Sequence, residues 1–305
     1  MLTPQTNPPE LAAVQKMQEY IEENLREPIN LRTLANAAGY SPFHAARLFK
    51  EHTGKTPFEY IRALRLSRAA LILRDGSDSI LTVALDFVFS SHAGFTRAFT
   101  RQFGLSPSEY RKKGGPLNLF IPYKVLASYH ALHQGGRKMT PESTTRTIFV
   151  QVVERPARKL LLKRGQKAEH YYAYCEEVGC DVWGVLCSIK EALYEPVGLW
   201  LPAHLIPEGT SKYAQGVELP LDYSGAVPEG YDLIDLPPCK MMVFQGEPYD
   251  DSVFEEAIQE VWNHIATFDP TLYGYRWAPE VAPRFQLAPM GYRGYIEALP
   301  VEPIA

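Results

Sequence analysis

Phe43-His-Ala-Ala-Arg-Leu-Phe49 is followed by Gly54 and by Thr56-Pro-Phe-Glu-Tyr-Ile-Arg62, and 50 residues later the chain repeats this order. The second copy contains Phe95-Thr-Arg-Ala-Phe99, Gly104 and Ser106-Pro-Ser-Glu-Tyr-Arg111. Upstream of both stretches the two copies correspond at an offset of 49, as in Ala35 to Ala84 and Tyr40 to Phe89. A repeat of this length indicates two copies of one supersecondary unit.

Each copy has the pattern of a helix-turn-helix. Leu34 and Ala35 fall on one face of a short first helix, and Gly39 supplies the positive φ that ends it. Ser41 and Pro42 then open a second helix as its N-cap and first residue. We therefore expect a short helix, a tight turn and a longer helix in each copy.

The ends of the copies carry further signals. Thr56-Pro-Phe-Glu59 and Ser106-Pro-Ser-Glu109 are both capping boxes, and Pro57 to Leu73 has the pattern of one long helix that joins the copies. At one turn the copies differ, because Val88 stands where the first copy has Gly39. A β-branched residue is poor at positive φ, so we expect this turn to close differently.

The second helix of each copy has a polar face that suits DNA. Helical spacing turns Phe49 inward and places Arg47 on another face, and Arg97 occupies the equivalent position. A guanidinium matches the two acceptors that guanine offers in the major groove, and two such helices fit successive turns about 34 Å apart. The alternative is a plain helical bundle with solvated arginines, which the matching caps and arginines disfavour.

Residues 10–113 resemble the DNA-binding domain of the AraC/XylS family of bacterial transcription regulators. The resemblance rests on Phe95-Thr-Arg-Ala-Phe99, Gly104-Leu-Ser-Pro107 and Tyr110-Arg111. It implies double-stranded promoter DNA and RNA polymerase as partners. Carried over position by position, the DNA-contacting residues are Phe43, His44, Ala46, Arg47, Lys50, His92, Ala93, Thr96, Arg97 and Arg101. Alanines at two of these positions leave much of the recognition to arginines, thymine methyls and DNA shape.

Length and composition restrict the class of protein. A chain of 305 residues exceeds one such domain, so a second is expected. Residues 1–115 carry 15 Lys+Arg against 11 Asp+Glu, giving +4, and residues 116–305 carry 16 against 24, giving -8. Met1 to Glu10 has no signal-peptide pattern and no apolar run approaches the ~20 residues of a membrane span, so we expect a cytoplasmic protein without a membrane partner.

Neither cysteines nor histidines indicate a metal or a cofactor. The four cysteines have no C-x-x-C spacing and are expected to be buried or partly buried free thiols, which is typical of a reducing compartment. His130 and His133 have the spacing of a partial metal pair, yet they lack a third ligand nearby and are expected to be solvated.

The chain divides into three parts. Residues 1–113 are expected to form the tandem helix-turn-helix domain, supported by an amphipathic helix from Leu11 to Asn24. Residues 114–145 are expected to be a linker with a short helix from Val125 to His133. Residues 146–305 form the second domain.

The second domain contains one pattern twice. Strands are predicted at 147–154, 158–163, 197–203 and 213–219, and again at 231–236, 240–244, 284–288 and 292–299, with helices at 171–193 and 252–266. Gly165 and Gly246 correspond at an offset of 81, and Glu218 and Glu297 at an offset of about 79. Two such β-α-β-β halves are expected to pack as a pseudo-dimer with a cleft between them.

The cleft is the expected ligand site. A carboxylate among aromatic rings attracts an organic cation by its charge and through the ring faces. The candidate residues are Glu297, Glu218, Tyr213, Trp200, Trp183, Phe244, Trp277 and Tyr295. The alternatives are core packing for each aromatic ring and a solvated strand-edge carboxylate for Glu297.

The second domain resembles the GyrI-like effector-binding family. The resemblance rests on Val152-Val-Glu-Arg-Pro156, Tyr213-Ala-Gln-Gly-Val-Glu218 and Gly294-Tyr-Ile-Glu-Ala-Leu-Pro-Val301. It implies an amphipathic, often cationic, drug-like ligand held by Glu297 and aromatic walls. It also leaves two alternatives open, a small-molecule hydrolase and a drug-sequestering or protein-inhibiting module.

The sequence thus predicts a multidomain protein, in which an all-α tandem helix-turn-helix domain precedes an α+β GyrI-like domain. We expect a transcription regulator, not an enzyme, that binds promoter DNA and a small-molecule effector and uses no cofactor or metal.

Overall fold

A computed structural model describes residues 7–123, 147–250 and 253–304. The chain forms two compact units, residues 1–133 and residues 134–305. The predicted helix from Val125 to His133, with His130 and His133, lies outside the described residues, as does most of the predicted linker. None of the helices in the described ranges is both long enough and apolar enough to span a bilayer.

The first unit is helical throughout its regular structure. Its helices are α1 (Pro8–Glu23), α2 (Leu31–Ala38), α3 (Pro42–Thr53), α4 (Pro57–Asp75), α5 (Ile80–Asp86), α6 (His92–Phe103) and α7 (Pro107–Lys113). The core is built from the apolar positions of the repeat, including Leu34, Phe49 and Phe99, all fully buried. The predicted tandem of two helix-turn-helix units on a long connecting helix is confirmed.

The predicted caps fix where the helices begin. Ser41 accepts a hydrogen bond from the amide of His44 at the start of α3, and Ser91 accepts one from Gly94 at the start of α6. Both capping boxes are present, with Glu59 accepting from the Thr56 amide at 2.9 Å and Glu109 from the Ser106 amide at 2.8 Å. The hydroxyl and amide of Thr56 lower the pKa of Glu59, and the amide and hydroxyl of Ser106 lower that of Glu109, so the caps stay ionised and intact at neutral pH.

The chain continues to pack on the first unit beyond residue 113, where the sequence predicts linker. Leu117 and Leu119 are buried, and the amide of Phe120 donates to Ser67 at 2.7 Å. The ring of Phe120 also lies edge-on to Tyr60 at 4.9 Å. Residues 116–123 therefore extend the core of this unit.

The turn at Val88 closes as the turn at Gly39 does, so the expectation of a different closure is wrong. Val88 adopts φ 63, beside φ 71 at Gly39. The amide of Phe89 reaches the carbonyl of Ala84 at 3.0 Å, the same bond that Tyr40 makes to Ala35. The packing of α5 against α6 therefore overrides the conformational preference of a β-branched residue, which stores strain at this turn.

Val88→Gly is expected to stabilise the first unit by about 1 kcal/mol, the left-handed strain relieved minus the added flexibility of glycine. Val88 is 36% exposed, so little packing is lost. The urea midpoint of the far-UV helical signal measures the change. The reverse substitution, Gly39→Val, should lower the midpoint, and a drop in both variants would show that the Val88 side chain matters more than its backbone.

The second unit combines one antiparallel sheet with three α-helices in its described residues. The strands are β1 (Phe149–Arg155), β2 (Arg158–Arg164), β3 (Val197–Trp200), β4 (Tyr213–Leu219), β5 (Asp232–Leu236), β6 (Cys239–Gln245), β7 (Tyr275–Trp277), β8 (Arg284–Leu287) and β9 (Ile296–Pro303). The helices are α8 (Tyr171–Val178), α9 (Val182–Ser188) and α10 (Phe254–Thr267). The predicted single helix from 171 to 193 is wrong, because Gly179 at φ 101 breaks it.

The strand order is symmetric about the centre of the sheet. It runs β1-β6-β9-β8-β3-β4-β2-β5, with β7 paired to β9. The centre is the pairing of Gly198 on β3 with Gln286 on β8. Outward from there, Gly198 pairs with Gln215 and Gln286 pairs with Glu297. Gln215 and Glu297 therefore hold equivalent places in two halves that face each other.

Candidate nucleic-acid interface and effector site

The faces of α3 and α6 that are predicted to contact DNA point into solvent. Arg47 and Arg97 are both exposed at equivalent positions, while Phe49 and Phe99 beneath them are fully buried. Phe43 is 84% exposed, which is unusual for a phenyl ring in a soluble domain. The burial of Arg47 or Arg97, which would have argued against base contact, is not observed.

Most of the other predicted DNA-contacting residues share this outward face. The exposed ones are Lys50, His92, Ala93 and Arg101, and the half-buried ones are His44, Ala46 and Thr96. The hydroxyl oxygen of Thr96 is itself buried, so it is not presented on the outward face. The His44 ring stacks on Tyr40 at 4.7 Å, and its Nδ1 lies 3.5 Å from the Arg47 guanidinium.

A groove of about 760 Å³ between α4 and α6 carries net positive charge. Three arginines line it, Arg62, Arg97 and Arg101, together with one carboxylate, Glu59. Glu59 stays ionised in its capping box, so the lining as a whole still carries a net charge of +2, from three arginines and one carboxylate. A positive groove beside the predicted DNA-contacting face of α6 suits a phosphate backbone. Arg62 was missed by sequence reasoning, because its place on the long connecting helix gave no signal.

In the second unit, a row of cross-strand partners that includes three polar residues crosses the middle of the sheet. Phe244, Glu297, Gln286, Gly198 and Gln215 are successive cross-strand partners on β6, β9, β8, β3 and β4. Directly paired residues point to the same face, which is the face that Phe244 shares with α10. The row therefore crosses the pseudo-twofold centre where the sequence predicts a cleft.

Glu297 is the only carboxylate in this row, and it is fully buried. It accepts hydrogen bonds from the Trp262 indole at 2.7 Å and from the Tyr295 hydroxyl at 2.7 Å, and it forms an ion pair with Arg284. The alternative of a strand-edge carboxylate in water is wrong. A buried carboxylate with this many donors is a built polar site.

Two tyrosines stand at equivalent places around the centre. Gly165 donates its amide to the carbonyl of Tyr213, and Gly246 donates to that of Tyr295. The hydroxyls of both tyrosines contact Gln286, at 3.4 and 2.9 Å. Burial, and then the Glu297 carboxylate, raise the pKa of Tyr295 well above that of a free phenol, so it keeps the proton that it donates.

Glu218 does not belong to this site. It pairs with Leu160, whose side chain lies in the core on the opposite face, and its carboxylate meets Arg158 at 2.6 Å and Arg155 at 3.3 Å. The expected equivalence with Glu297 is wrong, since the structural partner of Glu297 is Gln215. Glu218 is offset from Glu297 by 79 residues, whereas Gln215 is offset by 82. The two offsets differ by three, and an odd difference places the side chain on the other face of the strand.

Gln215 was missed by sequence reasoning, since a single glutamine in a strand carries no signal. It is fully buried, and neither atom of its amide has a hydrogen-bond partner in the described part of the chain. A buried amide without hydrogen-bond partners is energetically costly, so this position favours a ligand that can hydrogen-bond to it.

The remaining predicted aromatics lie in three different places. Trp200 lies beside Tyr213, with ring centroids 5.3 Å apart, and so belongs to the central site. Phe244 and Trp277 pack with Phe268 in the core under α10. Trp183 is half-buried on α9.

Residues 7–123, 147–250 and 253–304 contain no cluster of three histidine, cysteine or acidic side chains that would hold a metal ion. All four cysteines are free thiols; Cys175, Cys187 and Cys239 are half-buried, whereas Cys180 is exposed and departs from the expectation of buried or partly buried thiols.

The first unit is similar to several known proteins. The model of a family described as a helix-turn-helix domain matches residues 34–113. The probable transcription factor PqrA of Proteus vulgaris is 42% identical over 98 residues, which cover 32% of this chain and 80% of that protein. The regulatory protein SoxS of Salmonella typhimurium is 37% identical over 100 residues, which cover 33% of this chain and 94% of that protein. The right origin-binding protein of Escherichia coli is 44% identical over 93 residues, covering 30% of this chain, and the match spans only 32% of that relative.

Proposed function

Because the chain belongs to the AraC family of DNA-binding transcription regulators, we propose that it controls transcription at a promoter and responds to a small molecule. In this proposal the first unit binds the promoter, and the second unit, as a GyrI-like domain, binds the effector. The observation that carries it is the pair of exposed arginines, Arg47 and Arg97, at equivalent positions on two capped helices.

The DNA-binding part of the proposal assigns α3 and α6 to successive major grooves. Arg47 and Arg97 each contact a guanine, and the exposed ring of Phe43 makes an apolar contact of the kind that thymine methyls offer. Arg62 and Arg101 hold the backbone between the two grooves through phosphates. Selection of duplexes from a random pool, followed by footprinting, tests this. A single protected half-site, or no selected sequence, would contradict two-helix recognition.

Salt is expected to weaken binding to every duplex, because each phosphate contact releases a counterion. Arg62→Ala should lower the slope of log K against log salt by about 1 and weaken selected and scrambled duplexes equally. Fluorescence anisotropy titrations at salt concentrations from about 50 to 200 mM give the salt slope and the affinity for each duplex. A slope unchanged by Arg62→Ala would remove this arginine from the phosphate contacts.

The effector-binding part rests on the central site of the sheet. A buried carboxylate beside Trp200, Trp262 and Tyr295 is the arrangement that favours an organic cation with apolar bulk. Because the first unit is basic and the second acidic, a cationic molecule is favoured by the second unit for long-range reasons too.

Effector binding is proposed to alter DNA affinity or the contact with RNA polymerase, which requires the ligand to favour one state of the protein. A ligand screen by thermal shift, followed by footprinting and in vitro transcription with each hit, tests this coupling. Hits that bind without changing either readout would reduce the second unit to a sequestering module.

A further inference from the structure

The carboxylate of Glu297 already has a cation beside it. Arg284 comes from the neighbouring strand β8, and its guanidinium forms an ion pair with Glu297. The same guanidinium carbon lies 4.9 Å from the centroid of the Trp200 ring. Arg284 thus makes both interactions that the proposed effector site offers to an organic cation, the charge pair and the aromatic contact.

The charge of Glu297 is already neutralised, so the site has no negative charge left for a second cation. Glu297 faces Arg284, and the other groups around it are neutral: Trp262, Tyr295 and Gln286. A cation added to an intact Glu297–Arg284 pair would therefore be buried without a counter-charge, which is strongly unfavourable.

The two members of the pair differ in their freedom to move. The Glu297 side chain is fully buried and held by the indole and the phenol. The Arg284 side chain is 36% exposed, so its guanidinium can reach water by rotation about its own stem. If either partner leaves the pair, it is Arg284.

The pair occurs in one half of the unit only. The position equivalent to Glu297 in the other half is Gln215, which is neutral. An ion pair needed only to build the sheet would be expected in both halves, so its presence in one half indicates a role specific to that half.

We propose that Arg284 is an internal occupant of the cation subsite, which an effector must displace to bind. This inference rests on the proposed effector function of the second unit. It makes Arg284 a specificity-determining residue. Only a planar, delocalised cation, which stacks on Trp200 and pairs with Glu297 as a guanidinium does, competes well, whereas a compact ammonium ion pairs without stacking.

The test is a fluorescence titration of the full chain, without DNA, with proflavine as a planar aromatic cation and Nile red as a neutral dye. Arg284→Met is expected to tighten proflavine binding by about tenfold to a hundredfold, the range for a charged hydrogen-bonded pair, and to leave Nile red unchanged. Arg276→Met is the matched control, because Arg276 pairs with Glu302 at the exposed edge of the same unit. Arg284→Gln, which keeps a donor for Glu297, is measured beside it in case the methionine variant does not fold.

A double variant separates competition from folding. Arg284→Met with Glu297→Gln removes both charges together, which should cost little stability, and it should lose the gain in proflavine affinity. If the wild type binds proflavine through Glu297 and both Arg284 variants bind it equally or more weakly, Arg284 positions Glu297 and the inference is overturned. If neither the wild type nor any Arg284 variant binds a cation in a Glu297-dependent way, the effector function itself fails.

Discussion

Replacing Arg47 and Arg97 together by alanine is expected to remove sequence-selective DNA binding while leaving the weaker, unselective binding in place. Each bidentate contact between arginine and guanine is worth about 1–3 kcal/mol, so each loss weakens the selected duplex by roughly 5- to 150-fold. The two sites are on separate helices, so the losses should add. Anisotropy titrations with the selected duplex and a scrambled one of equal length measure the difference.

Folding should be unaffected by this double substitution. Arg47 has an exposed ion pair with Glu51, with atoms 3.9 Å apart, and an exposed contact with His44 at 3.5 Å, and such surface interactions contribute little. The matched control removes Arg32 and Arg68, two exposed arginines of the same unit that lie on α2 and α4. It lowers the charge equally, so it should weaken both duplexes alike. Equal loss of selectivity in the two double variants would assign recognition to charge or DNA shape and not to α3 and α6.

The first unit was largely predictable because its signals are local. Each cap, such as Ser106 with Glu109, lies within four residues, and the buried positions follow the helical period. Val88 escaped prediction because its φ is imposed by the packing of two helices, which lies beyond the turn itself. At Val88 the packing of the helices therefore outweighs the preference of a β-branched residue for negative φ.

The second unit was predictable in its elements but not in its site. The motif that ends each half suggested Glu218 as the partner of Glu297, yet the register of the sheet selects Gln215. Register depends on pairing between strands far apart in sequence, and a small error in alignment reverses a face. Arg284 was missed for the same reason, since only the adjacency of β8 and β9 brings it to Glu297.

Glu297→Gln is expected to reduce the affinity for cationic ligands by about 10- to 100-fold and to leave neutral ligands almost unchanged. Glutamine keeps the size of the side chain and still accepts from Trp262 and Tyr295, so only the charge is removed. Titration of the full chain with proflavine and with Nile red separates the two effects. Equal losses for both dyes would assign Glu297 to the packing of the sheet.

Glu218→Gln is expected to lower stability without changing ligand discrimination, which is the opposite of the pattern expected for Glu297→Gln. The comparison therefore distinguishes a structural ion pair from a ligand site. Glu218 is buried against Arg158 and Arg155, and removing its charge leaves two arginines without a counter-ion, at a cost of about 3–5 kcal/mol of stability. Because it lies on the other face of the sheet, its loss should not alter discrimination between charged and neutral ligands in the protein that remains folded. Urea titration of both variants completes the comparison. If Glu218→Gln abolishes that discrimination while Glu297→Gln leaves it intact, the cation subsite lies on the face of Glu218 and not on the face of Glu297, and the proposal is wrong.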